Sequence, residues 1–462
     1  MSQVVTPISI PHVIKGEVVI DPAKEYGGAG GTGFATPAID LDALIWPRTE
    51  PLPAAEVPVA EIIELLVATG ERLQGDPDGL LAEALEALTR TSPYQRRILE
   101  HAYADLSRTL NGDNLWAQLN NELGGADVVD RWRRVEAPNG RGGWVRAYPT
   151  RLVHVLAGNS PGVAVLSIAR GAMMKGVHLL KMPSNDLLTS TAVLRTMAAV
   201  APGHPVTKSF SAVYWAGGDS SIESVLFRPQ FFDKLVAWGG EAAIRNAAKY
   251  LGPGFELISF DPKNSISMIG KEIFSSDENV EAVADLGAID AVTYDQEACT
   301  SSRFQFVEGT VEEVDRYCEK LAVALTQERR YTSAMVTPMG ADDREHVAAL
   351  RAMEPMYRLF GTSNGAGLVI RSDEPVDFYP SAKTVNVVRV ESLGDAVRYI
   401  NVSTQTVGIY PNSRRHVMRD RLASAGVQRV VSLGSATSMI PGFPHDGFYP
   451  LHRFVRWVND ED

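Results

Sequence analysis

From residue 150 to about 408, short apolar runs alternate with segments of helical periodicity, and this alternation constrains the fold more than any other feature. It begins with RLVHVLA (151–157), followed by the helical PGVAVLSIARGAMMKG (161–176) and the apolar HLLKMP (178–183). A helix near 187–201, then SAVYWAG (211–217), then KLVAWGG (234–240) with a further helix, continue the pattern. A second alternating block runs from ELISFD (256–261) to about 408, with helices around 278–287 and 310–328. Apolar strands joined through helices cannot be hairpin neighbours, so they imply parallel sheets with right-handed crossovers. At 462 residues the chain exceeds one ordinary core. The expected class is therefore α/β, in two large lobes.

The first 150 residues read differently. Residues 1–55 are rich in Gly and Pro, with a strand signal at GEVVID (16–21). Helical periodicity starts near Val59 and returns in GLLAEALEALTR and SPYQRRILEHAYADLSRTL, with NGDN (111–114) read as the end of these helices. A hairpin follows: RVEA, a turn at PNGRGG, and WVRAY. A net charge of −12 without basic blocks argues against nucleic acid or anionic membrane as partner. The most apolar stretch is interrupted by Arg170 and Lys175, too polar to span a bilayer. Two cysteines make no disulfide framework, and no C-x-x-C or histidine cluster suggests a metal. The N-terminus lacks a basic segment followed by an apolar run, so a cytoplasmic location is expected.

Residues 28–33 match the dinucleotide pattern G-x-G-x-x-G, but Pro37 stands where the phosphate-binding helix should open, and a loop is the expected structure. Better candidates sit at strand ends. In HVLAGNSPG (154–162), Asn159 either donates to an oxyanion or caps the next helix. In LLKMPS (179–184), Lys181 either reaches a phosphate or ribose or extends to solvent. Gly239 and Gly240 let backbone approach a ligand at a strand–helix junction, or simply make a tight turn. Cys299, in DQEACTSSR (295–303), has polar and small neighbours suited to a reachable thiolate, whereas Cys318 in EEVDRYCEKLAVAL reads as core.

In this order these motifs resemble the aldehyde dehydrogenase superfamily. More closely the chain resembles its LuxC-like branch of fatty acyl-CoA reductases, through IPHVIKGEVV, LAGNSPGVAVLS, AWGGEAAI, DQEACTSSR and PHDGFYPLHRFVRWV. The resemblance implies a Rossmann-type cofactor lobe (1–265) with an oligomerisation hairpin (about 131–150), a catalytic α/β lobe (266–435) and a C-terminal loop and tail (436–462). It assigns Cys299 as nucleophile, Asn159 to the oxyanion, Lys181 to the cofactor ribose, and Gly239-Gly240 to the pyrophosphate. The family's water-activating glutamate would be Glu256, but its flanking glycines are absent. Ser184 replaces the carboxylate that NAD-preferring members often carry three residues after the lysine, which favours NADPH. The implied reaction is reduction of an acyl-CoA or carrier-bound acyl thioester to an aldehyde through an acyl-cysteine.

The rival readings are an aldehyde dehydrogenase making acid or acyl-CoA, a cysteine acyltransferase or thioesterase without nicotinamide, and a noncatalytic assembly subunit. In the tail, Phe443, Phe448 and Tyr449 would wall an acyl channel. His445 there either serves as an acid near Cys299 or, with Asp446, caps a terminal helix. The hairpin implies a homo-oligomer, dimer or tetramer, with an acyl-donor protein as a further candidate partner.

Overall fold

The computed structural model describes residues 7–28, 31–136, 138, 140–336 and 338–461. By contacts the chain forms two units, residues 1–261 with 440–462, and residues 262–439.

The first unit is built on a seven-stranded sheet. Its order is Glu256–Phe260, Lys234–Trp238, Arg151–Val155, Val177–Lys181, Phe210–Val213, His12–Ile14 and Glu17–Val19. The first five strands run parallel and the last two join antiparallel, so the N-terminal strands extend the sheet at one edge. Val153, Val177, Leu179, Val213, Leu235 and Ala237 meet Trp215 and Phe232 in the core. Strands covered on both faces need near-continuous apolar runs, and these have them. The helix Val59–Gly75 buries Val59, Ile62, Ile63, Leu66 and Leu73, the spacing of one helical face. The turn Leu106–Leu110 does end at Asn111, but helix resumes at once: Asn111 accepts from the Asn114 N–H and caps a further helix, Gly112–Leu123. The Asn-Gly-Asp-Asn cluster is a stop and also a start, because the Asn side chain satisfies an orphan N–H of the next helix.

The glycine-rich segment joins the antiparallel strands Lys24–Gly27 and Gly33–Thr36, so a strand runs from Gly33 where the phosphate-binding helix would have to open. Ala29 and Gly30 of that pattern lie outside the described residues, as do Ala137 and Asn139 of the 131–150 hairpin. The tail is only briefly helical, over Pro450–Phe454. Val455–Glu461 then pairs antiparallel with Gly142–Pro149, which also pairs with Arg133–Glu136, giving a three-stranded sheet.

The second unit holds another seven-stranded sheet, ordered Arg358–Thr362, Gly367–Ser372, Thr384–Val390, Ser302–Glu308, Asn264–Ile269, Thr404–Tyr410 and Arg429–Ser432. Only the first pair is antiparallel. One face is covered by the helices Asp277–Val292 and Val311–Ala324, through Val280, Ala284, Ala288, Tyr317 and Leu321. Cys318 lies in this layer, fully buried, and burial raises its thiol pKa well above the ordinary value. Such a thiol packs as a small apolar group and does not react. Met268, Phe306, Val388, Val407 and Leu422 form the core of the other face. Among the described residues no helix is long and apolar enough to cross a membrane.

Candidate active site

In the first unit the parallel strands end level. Val155, Lys181 and Val213 are register partners, and Ala237 pairs with Val155. The turns beyond them therefore share one carboxyl edge, where open α/β sheets bind ligands. Asn159 stands exposed in the turn after Arg151–Val155. Its carbonyl accepts from Tyr94 Oη at 2.8 Å, and Gly158 beside it is pinned by Asn185 Nδ2 at 3.0 Å. A Cβ on Gly158 would fall 1.8 Å from Asn185 Oδ1, so only glycine permits this brace. The following helix Gly162–Met173 has Pro161 at its N-cap and no side-chain cap bond, so helix capping does not account for Asn159.

Lys181 is the last residue of its strand and 8% exposed. Its ammonium lies 5.5 Å from the centre of the Tyr214 ring. Burial lowers its pKa to about 8, with the Glu223 charge opposing. Ser184 is exposed in the turn that follows. At the next strand end, Gly239 has φ +150° and Gly240 caps the helix Glu241–Ala248. A Cβ on Gly240 would meet nothing within 4 Å, so the backbone there is open to approach. A strand-end amine on the same edge as an open glycine turn, with one strand between them, suits the ribose and pyrophosphate of a dinucleotide.

His445 belongs to the same edge. Its ring packs 5.5 Å from Trp238 and 5.0 Å from Phe260, the last residues of their strands. Arg170 reaches its Nδ1 at 3.4 Å, which puts the lone pair on Nδ1 and the proton on Nε2. The terminal helix Pro450–Phe454 has Tyr449 as its N-cap, without a side-chain bond from that residue, and its Leu451 N–H goes to Glu122. Phe448 packs on Phe260 at 5.2 Å, while Phe443 and Tyr449 are exposed.

Glu256 is misplaced for the role of base. It opens its strand opposite Lys234, at the amino edge of the sheet. Four residues at about 3.3 Å each put it roughly 13 Å from the Phe260 end. Lys234 Nζ approaches it at 2.9 Å and Arg453 at 2.5 Å. Burial alone would raise its carboxyl pKa, but these two cations outweigh that and lower it. A carboxylate paired twice at the wrong end of the sheet is structural.

The second unit presents Cys299 on a loop rather than at a strand end. The helix Asp277–Val292 gives way to Tyr294, Asp295 and Gln296, all non-glycine residues with φ of 55°, 48° and 70°. Left-handed backbone at such residues costs free energy that the surroundings must offset. The Tyr294 N–H donates to Tyr331 O at 2.7 Å, Gln296 Nε2 donates to Thr384 O at 2.8 Å, and Arg303 donates to Gln296 O. Arg303 also donates to Pro380 O and stacks on Tyr379 at 4.3 Å, so its cation braces the loop. Cys299 is half-buried. Ser265 Oγ donates to its carbonyl at 2.8 Å, and Gln405 Nε2 donates to its Sγ at 3.3 Å. The sequence signalled neither Ser265 nor Gln405, since both lie far from Cys299 along the chain.

A family model described as acyl-CoA reductase (LuxC) matches residues 54–457. The long-chain acyl-protein thioester reductase of Photorhabdus luminescens is 29% identical over 417 residues, covering 88% of this chain and 83% of that protein. Its counterpart from Aliivibrio fischeri is 32% identical over 357 residues, covering 75% and 70%. An aldehyde dehydrogenase structure from Pseudomonas aeruginosa superposes with a TM-score of 0.72 at 13% identity, covering 99% of this chain and 97% of that one. The fold is that of the aldehyde dehydrogenases.

Proposed function

We propose, from the premise that the chain belongs to the acyl-CoA reductase (LuxC) family, that it reduces a long-chain acyl thioester to the aldehyde through an acyl group on Cys299, using NADPH. The observation that carries this reading is a half-buried thiol on a braced loop, its sulfur accepting a hydrogen bond from an amide. The relatives are named for long-chain acyl-protein thioesters, so the acyl donor is a protein-bound chain or acyl-CoA.

In this reading the Cys299 thiolate attacks the thioester carbonyl and the Cys299 N–H holds the developing oxyanion, a role that the family resemblance also assigns to the Asn159 amide. The donor's thiol leaves and acyl-Cys299 remains. Lys181 and the Gly239-Gly240 turn would hold the cofactor, which supplies the hydride when bound. Cys299 then departs as thiolate when the reduced carbon becomes an aldehyde. His445, with Nδ1 turned to Arg170, would offer its Nε2–H as a hydrogen bond to a departing thiolate or alkoxide, and would give up a proton only as the imidazolium. Glu256, paired at the far edge, does not activate water, so that route to wasteful hydrolysis is closed. Ser184 leaves room for a 2′-phosphate where a carboxylate would repel it.

Intact-protein mass spectrometry after incubation with an acyl-CoA panel tests the reading. Acyl-Cys299 should accumulate without NADPH and vanish, with aldehyde formed, when NADPH is added. An acyl-enzyme that turns over to acid without binding NADPH would instead indicate a thioesterase.

The oligomer belongs to the same reading. All four residues of Arg133–Glu136 are exposed, and Trp132, Trp144 and Trp457 are exposed on or beside the same three-stranded sheet. An open edge flanked by aromatic side chains supports pairing with a second copy. Light scattering at micromolar concentration should report a dimer or tetramer, and a monomer would remove this part of the reading.

A further inference from the structure

The strand Asn264–Ile269 changes register against both neighbours at Ser265/Ile266. Asn264 pairs with Thr404 but Ile266 pairs with Val407, so Gln405 and Thr406 together oppose Ser265. On the other side Ser265 pairs with Ser302 and Ile266 with Phe304, which leaves Arg303 as the extra residue. Bulges of this kind re-aim side chains that a regular strand would send elsewhere. Here the bulged position puts Gln405, 2% exposed, against the cysteine. Ser265 Oγ ties the two halves together, accepting from the Thr406 N–H at 3.3 Å and donating to Cys299 O at 2.8 Å.

The orientation of the Gln405 amide follows from its other end. Thr406 Oγ1 donates to Gln405 Oε1 at 3.5 Å, and Arg429 Nη1 donates to Thr406 Oγ1 at 3.5 Å. A carbonyl oxygen that takes a hydroxyl proton leaves the NH2 group for the sulfur. Arg429 is fixed in turn by the carbonyls of Ser435, Ala436 and Ser438. The N–H groups of Gly434 and Ala436 are held by the buried Asp290 carboxylate at 2.8 and 2.9 Å. A cation, a hydroxyl and an amide thus stand in line behind the sulfur, each polarising the next.

We propose that Gln405, backed by Thr406 and Arg429, is the positioning residue of the nucleophile: it holds Cys299 Sγ in one place and stabilises its thiolate. The inference rests on Cys299 being the residue that is acylated. A neutral thiol accepts only a weak hydrogen bond, whereas a thiolate accepts a charge-assisted one, so the donor favours the ionised form. The thiolate returns as leaving group when the aldehyde departs, and the same donor serves that step.

The test is the pH dependence of Cys299 alkylation by iodoacetamide, without cofactor, read by peptide mass spectrometry with the buried Cys318 as internal control. Gln405→Leu should raise the apparent thiol pKa by about one unit, slowing alkylation near neutral pH about tenfold. Gln405→Glu, which places a carboxylate against the sulfur, should slow it further. Thr406→Val keeps the shape but removes the relay hydroxyl, and should shift the profile less, in the same direction. Thermal unfolding and continued protection of Cys318 show which variants are folded, and Thr406→Val decides the matter if the Gln405 variants are not. Profiles of folded Gln405→Leu and Thr406→Val that overlay the unsubstituted protein would overturn the proposal. Failure of an acyl thioester to label Cys299 in the unsubstituted protein is a separate result, which sinks the acyl-enzyme reading.

Discussion

The two sheets have seven strands each, yet they present chemistry in opposite ways. In the first unit the candidate groups stand where regular strands stop: Lys181 ends one strand, and Gly239 follows another. Nothing bends those strands, and their partners are in step. In the second unit the candidate nucleophile sits on a left-handed loop, and the strands beneath it are bulged. Their buried faces carry Ser265, Ser267, Ser302, Gln405 and Thr406, which a purely apolar core would exclude. A dinucleotide is large and can be met by backbone at strand ends. A single sulfur atom must be held to a fraction of an ångström, which takes side chains converging from several strands.

The sharpest way to break this contrast is at the thiol. Cys299→Ala should abolish both acyl-enzyme and aldehyde, while Cys318→Ala should keep turnover and lower the melting temperature. Acylation that persists in Cys299→Ala and maps elsewhere would leave the second unit without its nucleophile. Next in size is the cofactor edge. Lys181→Ala should raise the NADPH dissociation constant by about 10- to 100-fold, the worth of one charge-assisted hydrogen bond, and leave acyl loading of Cys299 unchanged. Fluorescence titration checks the first and mass spectrometry the second. Within the same titration, Ser184→Glu should weaken NADPH more than NADH.

A third effect lies in the interior of the first unit. His154 Nε2 and His178 Nδ1 are 3.0 Å apart with both rings fully buried. Burial lowers the His178 pKa from 6.5 to about 3, and His154 falls too, through burial and its neighbour. The unfolded chain binds these protons more readily, so the pair stabilises the fold above pH 6.5 and loses that contribution as pH falls toward 3. By pH 4.5 His178 alone should account for roughly 3 kcal/mol. Asp186 and Asp290, raised by burial to about 6, act with the opposite sign, since the folded state holds their protons more tightly. The difference between unsubstituted protein and His178→Gln is therefore the quantity to measure. Melting temperature against pH should slope less steeply in the variant, and equal slopes would mean the pair is not the titrating element.

The smallest effect expected is that of Glu256→Gln. With its half-exposed carboxylate shared by Lys234 and Arg453, the change should cost below about 1 kcal/mol and leave turnover near normal. A large loss of turnover would restore Glu256 to the chemistry and undo the separation of the sheet's two edges.

The sequence alone determined the parts whose signals are local. Strands interleaved with helices announced two parallel sheets, and a lysine or glycine pair at the end of an apolar run announced the carboxyl edge of the first. The polar company of Cys299 marked it, and Pro37 excluded a phosphate-binding helix after the glycine-rich segment. Where the signal was local but ambiguous, it showed one side only: Asn111 ends one helical turn and starts the next helix, and the His445 loop packs on Trp238 and Phe260. Glu256 failed for a different reason, because its edge of the sheet is set by strand direction and register, and no short motif encodes those. Only the tertiary structure decided what holds the thiol. Gln405 lies 106 residues from Cys299, and its aim depends on one extra residue in a strand pairing. Side chains alternate faces with a period of two, so a single bulged residue redirects an amide while leaving the hydrophobic pattern of the strand almost unchanged.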